Sequence, residues 1–254
     1  MDSFLPIVQR ILEATPVRGK GRLATLLLEG KKTETVCHPL PGLTIRLNTQ
    51  QRIERLMWAG AYERSLVRML KFSLKPGMVF LDLGANIGYF SAIAAALVGP
   101  KGRVLAFEPL PACFARLQQN LCGFEQAVLY NCAASDKNGQ SWFYFHAKEN
   151  GWGSLFSDHD LTERIQVTTS RLDDWAQDAA IERLDFLKID IEGGEYGALL
   201  GAQMLLKRFR PVVVAELNSV CLSRNQHTPD DVLRLLCEAG YRCKRFEDSV
   251  IATP

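Results

Sequence analysis

The sequence has no apolar run as long as a membrane helix, although 47% of its 254 residues are hydrophobic. A helix that spans a bilayer needs at least about 18 consecutive apolar residues. The start of the chain also lacks the basic region and the long apolar segment of a secretion signal. These absences predict a cytoplasmic protein without a membrane span.

Three other features that the sequence lacks limit the partners and the metal sites that we expect. The 30 basic and 28 acidic residues leave a formal net charge of +2, so the chain has no excess of positive charge for binding nucleic acid. The seven cysteines form no Cys-x-x-Cys pair, which favours reduced, buried thiols over disulfides. The four histidines lack the spacing of metal ligands. We therefore expect a small-molecule partner and no nucleic-acid partner.

The sequence also lacks the middle glycine of a dinucleotide-binding loop. An apolar run that ends at Asp82 is followed by a turn with Gly84, Asn86 and Gly88 and then by an apolar helix, and the next apolar run leads to Glu108. Dinucleotide binding needs Gly-x-Gly-x-x-Gly, because the backbone must touch a pyrophosphate at the helix N-terminus. Asn86 stands where the middle glycine belongs. The pattern therefore predicts a nucleoside site of another kind.

The acidic residues of this pattern favour a positively charged nucleoside. The carboxylate of Asp82 would repel a pyrophosphate and attract the ammonium and sulfonium groups of S-adenosylmethionine. Glu108 is placed to accept hydrogen bonds from both ribose hydroxyls. Gly84 and Gly88 would let the loop approach the amino-acid half of the donor, and Asn86 tolerates an unusual backbone angle or offers its amide. We therefore predict S-adenosylmethionine, not NAD, as the cofactor.

The residues after the third predicted strand are expected near the adenine. Asp136 is a candidate acceptor for the adenine amino group, although the same segment also fits an ordinary turn. The residues predicted from the sequence pattern to bind the cofactor are Asp82, Gly84, Ala85, Asn86, Gly88, Tyr89, Phe90, Glu108, Pro109, Ala133, Ala134, Ser135, Asp136 and Asp190.

Strands and helices alternate from residue 78 onwards, which predicts an α/β fold with a Rossmann-like, mostly parallel sheet and helices on both faces. The last two strands are expected to pair antiparallel, and residues 140–170 to hold an inserted antiparallel hairpin. Helical periodicity covers residues 196–209, and Thr228 is a candidate N-cap of a later helix. We predict a methyltransferase domain over residues 51–254.

Residues 1–50 are predicted to form an N-terminal extension. Apolar residues recur at helical spacing over residues 3–15, and a small hairpin is expected over residues 33–47. The amphipathic helix fits three partners: the rest of the chain, a second copy of the chain, or a membrane surface. A homo-oligomer formed through the extension is therefore among the predictions.

Four acidic residues lie at or next to the carboxyl ends of four predicted strands: Asp82, Glu108, Asp190 and Glu216. Ligands of open α/β sheets bind beyond these ends. One such acid also fits a helix N-terminus, but four at one sheet edge favour a ligand site. Lys188, near the end of one of these strands, is expected to pair with an acid or to take part in catalysis.

The candidate general bases are Asp190, Glu192, Glu216 and His227. We favour Asp190 and Glu192 on the acceptor side, because adjacent acids raise the pKa of one another, although helix capping also explains them. A second mechanism uses Mg²⁺ held by oxygens of Asp190, Glu216 and Asn218, which would lower the pKa of a coordinated hydroxyl.

Several short segments follow one another in order: residues 60–63, 82–89, 107–111, 134–136, 172–174, 188–193 and 215–217. Together they resemble the FkbM family of S-adenosylmethionine-dependent methyltransferases over roughly residues 62–241. The resemblance implies a class I methyltransferase sheet and methyl transfer to a hydroxyl of a sugar or natural-product-like small molecule. It also implies that Tyr62 and Glu63 help to close the donor site. The sequence departs from the family pattern at residues 150–155, which bears on acceptor contacts.

Two alternatives of other classes stay open. A NAD-dependent dehydrogenase is disfavoured by the missing middle glycine and by Asp82. A non-catalytic interaction module with the methyltransferase fold is disfavoured by the clustered charges of Asp82, Glu108 and Asp190, for which such a module has no physical need.

Overall fold

The computed structural model describes Val8, Gln9, Leu12 and residues 19–28, 34–146, 153–157 and 162–254. No helix within these ranges is long and apolar enough to cross a membrane. The chain forms two compact units, residues 1–74 and 75–254. The predicted helix over residues 3–15 lies largely outside the described residues, and the predicted assignment of residues 51–74 to the catalytic domain stays a prediction.

From Lys20 onwards, the described residues of the first unit form three helices and one hairpin. They are α1 (Lys20–Leu28), β1 (Glu34–Cys37), β2 (Ile45–Asn48), α2 (Arg52–Trp58) and α3 (Arg64–Ser73). Strands β1 and β2 pair antiparallel, which confirms the predicted hairpin. Alternate residues of β2 are buried, as expected for a strand with one face against a core.

The second unit contains two sheets. Its strands are β3 (Val79–Leu83), β4 (Arg103–Phe107), β5 (Ala127–Tyr130), β6 (Ala133–Ser135), β7 (Gly139–Phe145), β8 (Gly153–Ser154), β9 (Glu163–Arg171), β10 (Phe186–Ile189), β11 (Val212–Glu216), β12 (Arg242–Phe246) and β13 (Ser249–Thr253). Its helices are α4 (Tyr89–Val98), α5 (Pro111–Leu121), α6 (Leu172–Asp178), α7 (Glu195–Leu200), α8 (Gln203–Phe209), α9 (Ser219–Ser223) and α10 (Pro229–Glu238).

The main sheet has the strand order β12-β13-β11-β10-β3-β4-β5. Neighbouring strands from β11 to β5 are parallel, and β13 is antiparallel to both of its neighbours. This confirms the predicted Rossmann-like sheet with an antiparallel closing pair. The chain moves outwards through β4 and β5 and returns to β10 on the other side of β3, so the strand order reverses between β3 and β10. Ligands of such sheets bind at this reversal.

The central strands of the main sheet are nearly continuous runs of buried apolar residues, as expected where helices cover both faces. Phe107 stacks on Tyr130 with ring centroids 4.8 Å apart, and Trp175 of α6 meets both rings edge-on. This core fixes the carboxyl ends of β3, β4 and β10, which carry the candidate site.

The second sheet has the order β6-β9-β7-β8. Strands β7 and β9 pair antiparallel from Gly139–Thr169 to Phe145–Glu163, which confirms the predicted inserted hairpin and adds two short strands to it. Phe143 of β7 is buried in an apolar cluster that also contains Cys113, Ala133 and Val167. Trp152 and His159, which the sequence places in the loop of this hairpin, lie outside the described residues.

Two helical segments differ in how well the sequence predicts them. The single helix predicted over residues 196–209 is instead two helices, α7 and α8. Gly201 ends α7, and a Cβ there would overlap the carbonyl oxygen of Ser135. Helix α10 begins as predicted: Thr228 accepts a hydrogen bond from the backbone of Asp231, whose side chain accepts one in return from the backbone of Thr228.

Candidate functional site

The loop after β3 has the unusual backbone that its sequence predicts. Gly84, Asn86 and Gly88 have φ angles of 80°, 51° and 85°. A Cβ at Gly84 would overlap the carbonyl oxygen of Asp190, and a Cβ at Gly88 would lie 2.6 Å from Leu121 Cδ1. Glycine at position 84 is therefore required for packing against a neighbouring backbone, whatever ligand the loop contacts. At Gly88 only the ends of leucine side chains are close, and the left-handed φ angle is what favours glycine. The sequence predicts that both glycines let the loop approach a ligand, and it does not predict the packing role of Gly84.

Hydrogen bonds tie the same loop to the end of β4. The backbone N–H groups of Gly84 and Ala85 both donate to the carbonyl oxygen of Phe107, at 3.1 and 2.9 Å. The N–H of Asn86 donates to Glu108 Oε2 at 2.8 Å. Asn86 Oδ1 is buried and accepts no hydrogen bond from any residue that the structure describes. A buried acceptor of this kind fits a ligand with an N–H or O–H donor.

Glu108, which directly follows β4, is a buried acid with 6% of its surface exposed. Its two carboxyl oxygens accept hydrogen bonds from the backbone of Asn86, at 2.8 Å, and of Leu110, at 2.9 Å. Burial raises the pKa of Glu108 to about 7, against the opposing effect of these two bonds. Each oxygen retains acceptor capacity, so the predicted contact with two ribose hydroxyls is compatible with this geometry and stays a prediction.

Asp82 is fully buried and is paired with Lys188. Its carboxylate accepts a 2.6 Å hydrogen bond from Ser91 Oγ and lies 3.2 Å from Lys188 Nζ. The lysine side chain is 2% exposed, lies 3.3 Å from Asp190 Oδ2 and sits over the Phe90 ring. The predicted pairing of Lys188 with an acid is confirmed. The charge of Asp82 is therefore partly compensated by a buried cation that it shares with Asp190, and its predicted attraction for a positively charged donor stays a prediction.

Three acids meet on the other side of the switch point. One carboxyl oxygen each of Asp190, Glu192 and Glu216 lies within 4.8 Å of the others, and all three residues are partly buried. Burial, followed by the charge of Asp190, raises the pKa of Glu192. Of the four acids that the sequence predicts to converge, this group brings together Asp190 and Glu216, and it adds Glu192.

The backbone and side chain of Glu192 are held by residues that sequence reasoning missed. Its φ angle is 52°, its carbonyl oxygen accepts a 2.7 Å hydrogen bond from Ser154 Oγ, and its Oε2 accepts one from Cys221 Sγ at 3.0 Å. Glu195, which is 1% exposed, accepts hydrogen bonds from the backbone of Ile191 and Gly193. Burial raises the pKa of Glu195 to about 7. The sequence signal for Glu195 was its position in the first turn of α7.

Asn218 and His227, two further candidates, make contacts of a structural kind. Asn218 Oδ1 accepts hydrogen bonds from the backbone of Val220, at 3.1 Å, and of Cys221, at 3.3 Å. It therefore caps α9, and its expected role as a metal ligand stays a prediction. The ring of His227 stacks on Tyr196 with centroids 3.8 Å apart, and the cluster that the described residues form contains no histidine.

Most of the segment predicted near the adenine forms β6, a strand of the second sheet. Ala133, Ala134 and Ser135 form β6 and are buried, whereas Asp136 is exposed and accepts a 3.1 Å hydrogen bond from Ser135 Oγ. Asn131, which sequence reasoning missed, donates to the carbonyl oxygens of Glu108 and Pro109. The adenine contact of Asp136 stays a prediction. The remaining cofactor candidates of the second unit are buried apolar residues: Ala85, Tyr89, Phe90 and Pro109.

Tyr62 and Glu63 belong to the first unit. Tyr62 is partly buried, and Glu63 is exposed and precedes α3 with a φ angle of 35°. Their expected part in closing the donor site stays a prediction.

Comparison with known proteins gives one family and several relatives. Residues 82–243 match the family model described as the methyltransferase FkbM domain. The chain is 30% identical over 166 residues to the 2-O-methyltransferase NoeI of Sinorhizobium fredii, covering 58% of this chain and 65% of that protein. It is 35% identical over 179 residues to the 31-O-demethyl-FK506 methyltransferase FkbM of Streptomyces tacrolimicus, covering 58% and 68%. The match thus spans less than two thirds of NoeI.

One more relative and one solved structure extend this comparison. The hexuronic acid methyltransferase AglP of Haloferax volcanii is 27% identical over 196 residues, covering 74% of this chain and 76% of that protein. The crystal structure of the methyltransferase FkbM from Methylobacillus flagellatus KT covers 92% of this chain and 59% of that chain, with a TM-score of 0.47 and 15% identity.

Proposed function

The chain belongs to the FkbM methyltransferase family, and from this premise we propose that it transfers a methyl group from S-adenosylmethionine to a hydroxyl oxygen of a small molecule. The acceptor class that we propose is a sugar or a natural-product-like compound. The observation that supports the proposal most is that two features lie at one switch point of the sheet. One is the buried Glu108 carboxyl with the loop that is hydrogen-bonded to it, and the other is the group of three carboxylates. Both lie within the matched residues 82–243.

The residues beside β3 and β4 fit a nucleoside donor. Glu108 has acceptor capacity for ribose hydroxyls, and Asn86 Oδ1 is a buried acceptor without a hydrogen bond from the described residues. The backbone N–H of Asn86 donates to the side-chain carboxylate of Glu108, so the two acceptors are held in a fixed relation before any ligand arrives. When bound, the donor supplies a methyl group already activated by the sulfonium charge.

The residues beside β10 and β11 fit an acceptor hydroxyl. The hydroxyl must lose a proton as its oxygen is methylated, and Asp190 and Glu192 are the proposed pair that receives it. The raised pKa of Glu192 brings it closer to the range of a useful base. Lys188 lies 3.3 Å from Asp190 Oδ2, so it orients that carboxylate and limits the repulsion within the group.

The names of the relatives support the acceptor class. They describe a 2-O-methyltransferase, a methyltransferase of 31-O-demethyl-FK506 and a methyltransferase of hexuronic acid. Such acceptors are hydroxylated small molecules. A NAD-dependent dehydrogenase has no comparable support.

Mg²⁺ at the acidic group is a finer version of the same proposal. Asp190, Glu192 and Glu216 each offer an oxygen of the kind that such an ion prefers. Asn218, which the sequence also predicts as a ligand, stays a candidate. Activity that survives thorough chelation unchanged would remove the ion from the mechanism. A cytoplasmic location, a homo-oligomer through the N-terminal extension and the lack of a nucleic-acid partner stay predictions.

The proposal is tested in two steps. Calorimetry with S-adenosylmethionine, S-adenosylhomocysteine and NADH asks which nucleoside binds, and we expect both sulfur nucleosides to bind and NADH not to. A donor with a labelled methyl group is then incubated with a panel of hydroxylated sugars and natural products. Transfer of the label to oxygen supports the function, whereas binding of NADH alone overturns it.

A further inference from the structure

Two cysteines outside the candidate site have neighbouring sulfur atoms. Cys237 lies in the last turn of α10, Cys243 is the second residue of β12, and their Sγ atoms are 3.8 Å apart. Cys237 is exposed and Cys243 is partly exposed. A disulfide bond is about 2.05 Å long, so a small side-chain rotation brings the sulfurs into bonding range.

The turn between the two cysteines is fixed by backbone hydrogen bonds. The N–H of Gly240 donates to the carbonyl oxygen of Cys237 at 2.9 Å, and the N–H of Tyr241 donates to that of Leu236 at 3.1 Å. Gly240 has a φ angle of 83°. These two bonds with a left-handed glycine form the Schellman motif that ends a helix, so the path from α10 to β12 has one defined geometry.

Side chains and strand pairing hold both ends of this turn. The guanidinium of Arg210 donates to the carbonyl oxygens of Ala239 and Gly240 and lies 5.3 Å from the centre of the Tyr241 ring, which is buried. Cys243 pairs with Ala252 of β13. The two thiols are thus held 3.8 Å apart by the surrounding backbone, so the effective concentration of one thiol at the other is high.

We propose that Cys237 and Cys243 form a dithiol site that reacts with small-molecule disulfides, such as glutathione disulfide, to give an intramolecular disulfide. In the first step the thiolate of Cys237 attacks one sulfur of the small disulfide, whose S–S bond breaks to release one small thiol. In the second step the thiolate of Cys243 attacks the sulfur of Cys237 and releases the second small thiol. Two protein thiols are oxidised and one small disulfide is reduced to two thiols.

The environments of the two cysteines set the order of these steps. Cys237 is the more exposed sulfur and meets the small disulfide first. Burial, together with the neighbouring Cys237 thiol, raises the pKa of Cys243 to about 11, which makes it the less reactive partner towards reagents in solution. Its role is to attack a disulfide already held beside it.

The test uses the full chain, reduced and then incubated with glutathione disulfide in native buffer. Intact mass and peptide mapping should show a Cys237–Cys243 disulfide, with loss of two free thiols and no retained glutathione at either position. In Cys243→Ser the second step is impossible, so glutathione should stay attached to Cys237. Cys122→Ser is the matched control, because Cys122 is also exposed, and the internal disulfide should form in it as in the wild type.

Retention of glutathione on Cys237 in the wild type, with Cys243 still a free thiol, would overturn the proposal. So would an internal disulfide between other cysteines, or no reaction at either position. Circular dichroism of each reduced variant checks that its fold is intact. None of these outcomes depends on methyl transfer.

Discussion

The acidic residues on the two sides of the switch point differ in burial and in their hydrogen bonds. Beside β3 and β4, Glu108 is almost fully buried and each of its oxygens accepts a backbone hydrogen bond. Beside β10 and β11, Asp190, Glu192 and Glu216 are partly exposed and crowd their negative charges together. A preorganised acceptor suits a ligand of fixed shape, whereas a crowded, accessible group of acids suits proton transfer. Lys188 lies between acids of β3 and β10 and serves both sides.

Asp190→Asn should have the largest effect on activity and should separate the two sides. It removes a proposed proton acceptor, so we expect turnover to fall by about 10²–10⁴-fold. Calorimetry with S-adenosylhomocysteine should give a dissociation constant close to that of the wild type. Asp178→Asn, at an exposed position at the end of α6, is the control. An equal loss of donor binding and turnover would contradict the division of roles.

Lys188→Met should have the largest effect on stability, because it affects both sides at once. It leaves the fully buried Asp82 without its cation, and breaking a buried ion pair costs about 3–5 kcal/mol. Urea unfolding measures this loss. Lys188→Arg keeps the charge and should lose less, and Asp82→Asn combined with Lys188→Met should recover part of the stability. A single variant as stable as the wild type would show that the pair is dispensable.

The pH dependence of stability should reveal the buried acids. The folded-state pKa values of Glu108 and Glu195 are raised from 4.5 to about 7 by burial, so the folded state binds protons more tightly than the unfolded state. Stability from these groups is complete below pH 4.5 and is lost as the pH rises to about 7, by up to about 3 kcal/mol for each group. Glu195→Gln should flatten the curve of unfolding free energy over this window. An unchanged slope would contradict the raised pKa.

Glu108→Ala should have a smaller effect, confined to the donor side. A hydrogen bond to a charged group contributes about 1.5–3 kcal/mol, so affinity for S-adenosylhomocysteine should fall by roughly 10- to 100-fold. Glu125→Ala, at an exposed position before β5, is the matched control. Donor affinity that stays unchanged in Glu108→Ala would remove the ribose assignment.

The sequence predicts the scaffold of the site better than the partners of its side chains. Alternating apolar runs that end in acids predict the parallel strands and the position of Glu108 and Asp190 at one edge, because burial of both sheet faces leaves a clear pattern. The N-cap at Thr228 is equally predictable, because the capping box involves residues only three positions apart. Both kinds of prediction depend on residues close together in the chain.

The remaining features depend on residues far apart in the sequence. The pairing of Asp82 with Lys188 and the overlap that requires Gly201 arise only when distant segments meet. Asn218 has an oxygen that suits a metal ion and a helix cap alike, and its capping role becomes visible only when the α9 backbone is in place. Cys221 as a donor to Glu192 had no sequence signal.

The missing side chain at Gly84 has a consequence for anyone who redesigns the acceptor preference of this protein. The carbonyl oxygen of Asp190 fills the space that any larger residue at position 84 would occupy. Substitutions in residues 190–193 that shift this oxygen would therefore disturb the nucleoside loop as well. Library design is safer when it keeps the main-chain path at residue 190 and varies only the side chains around it.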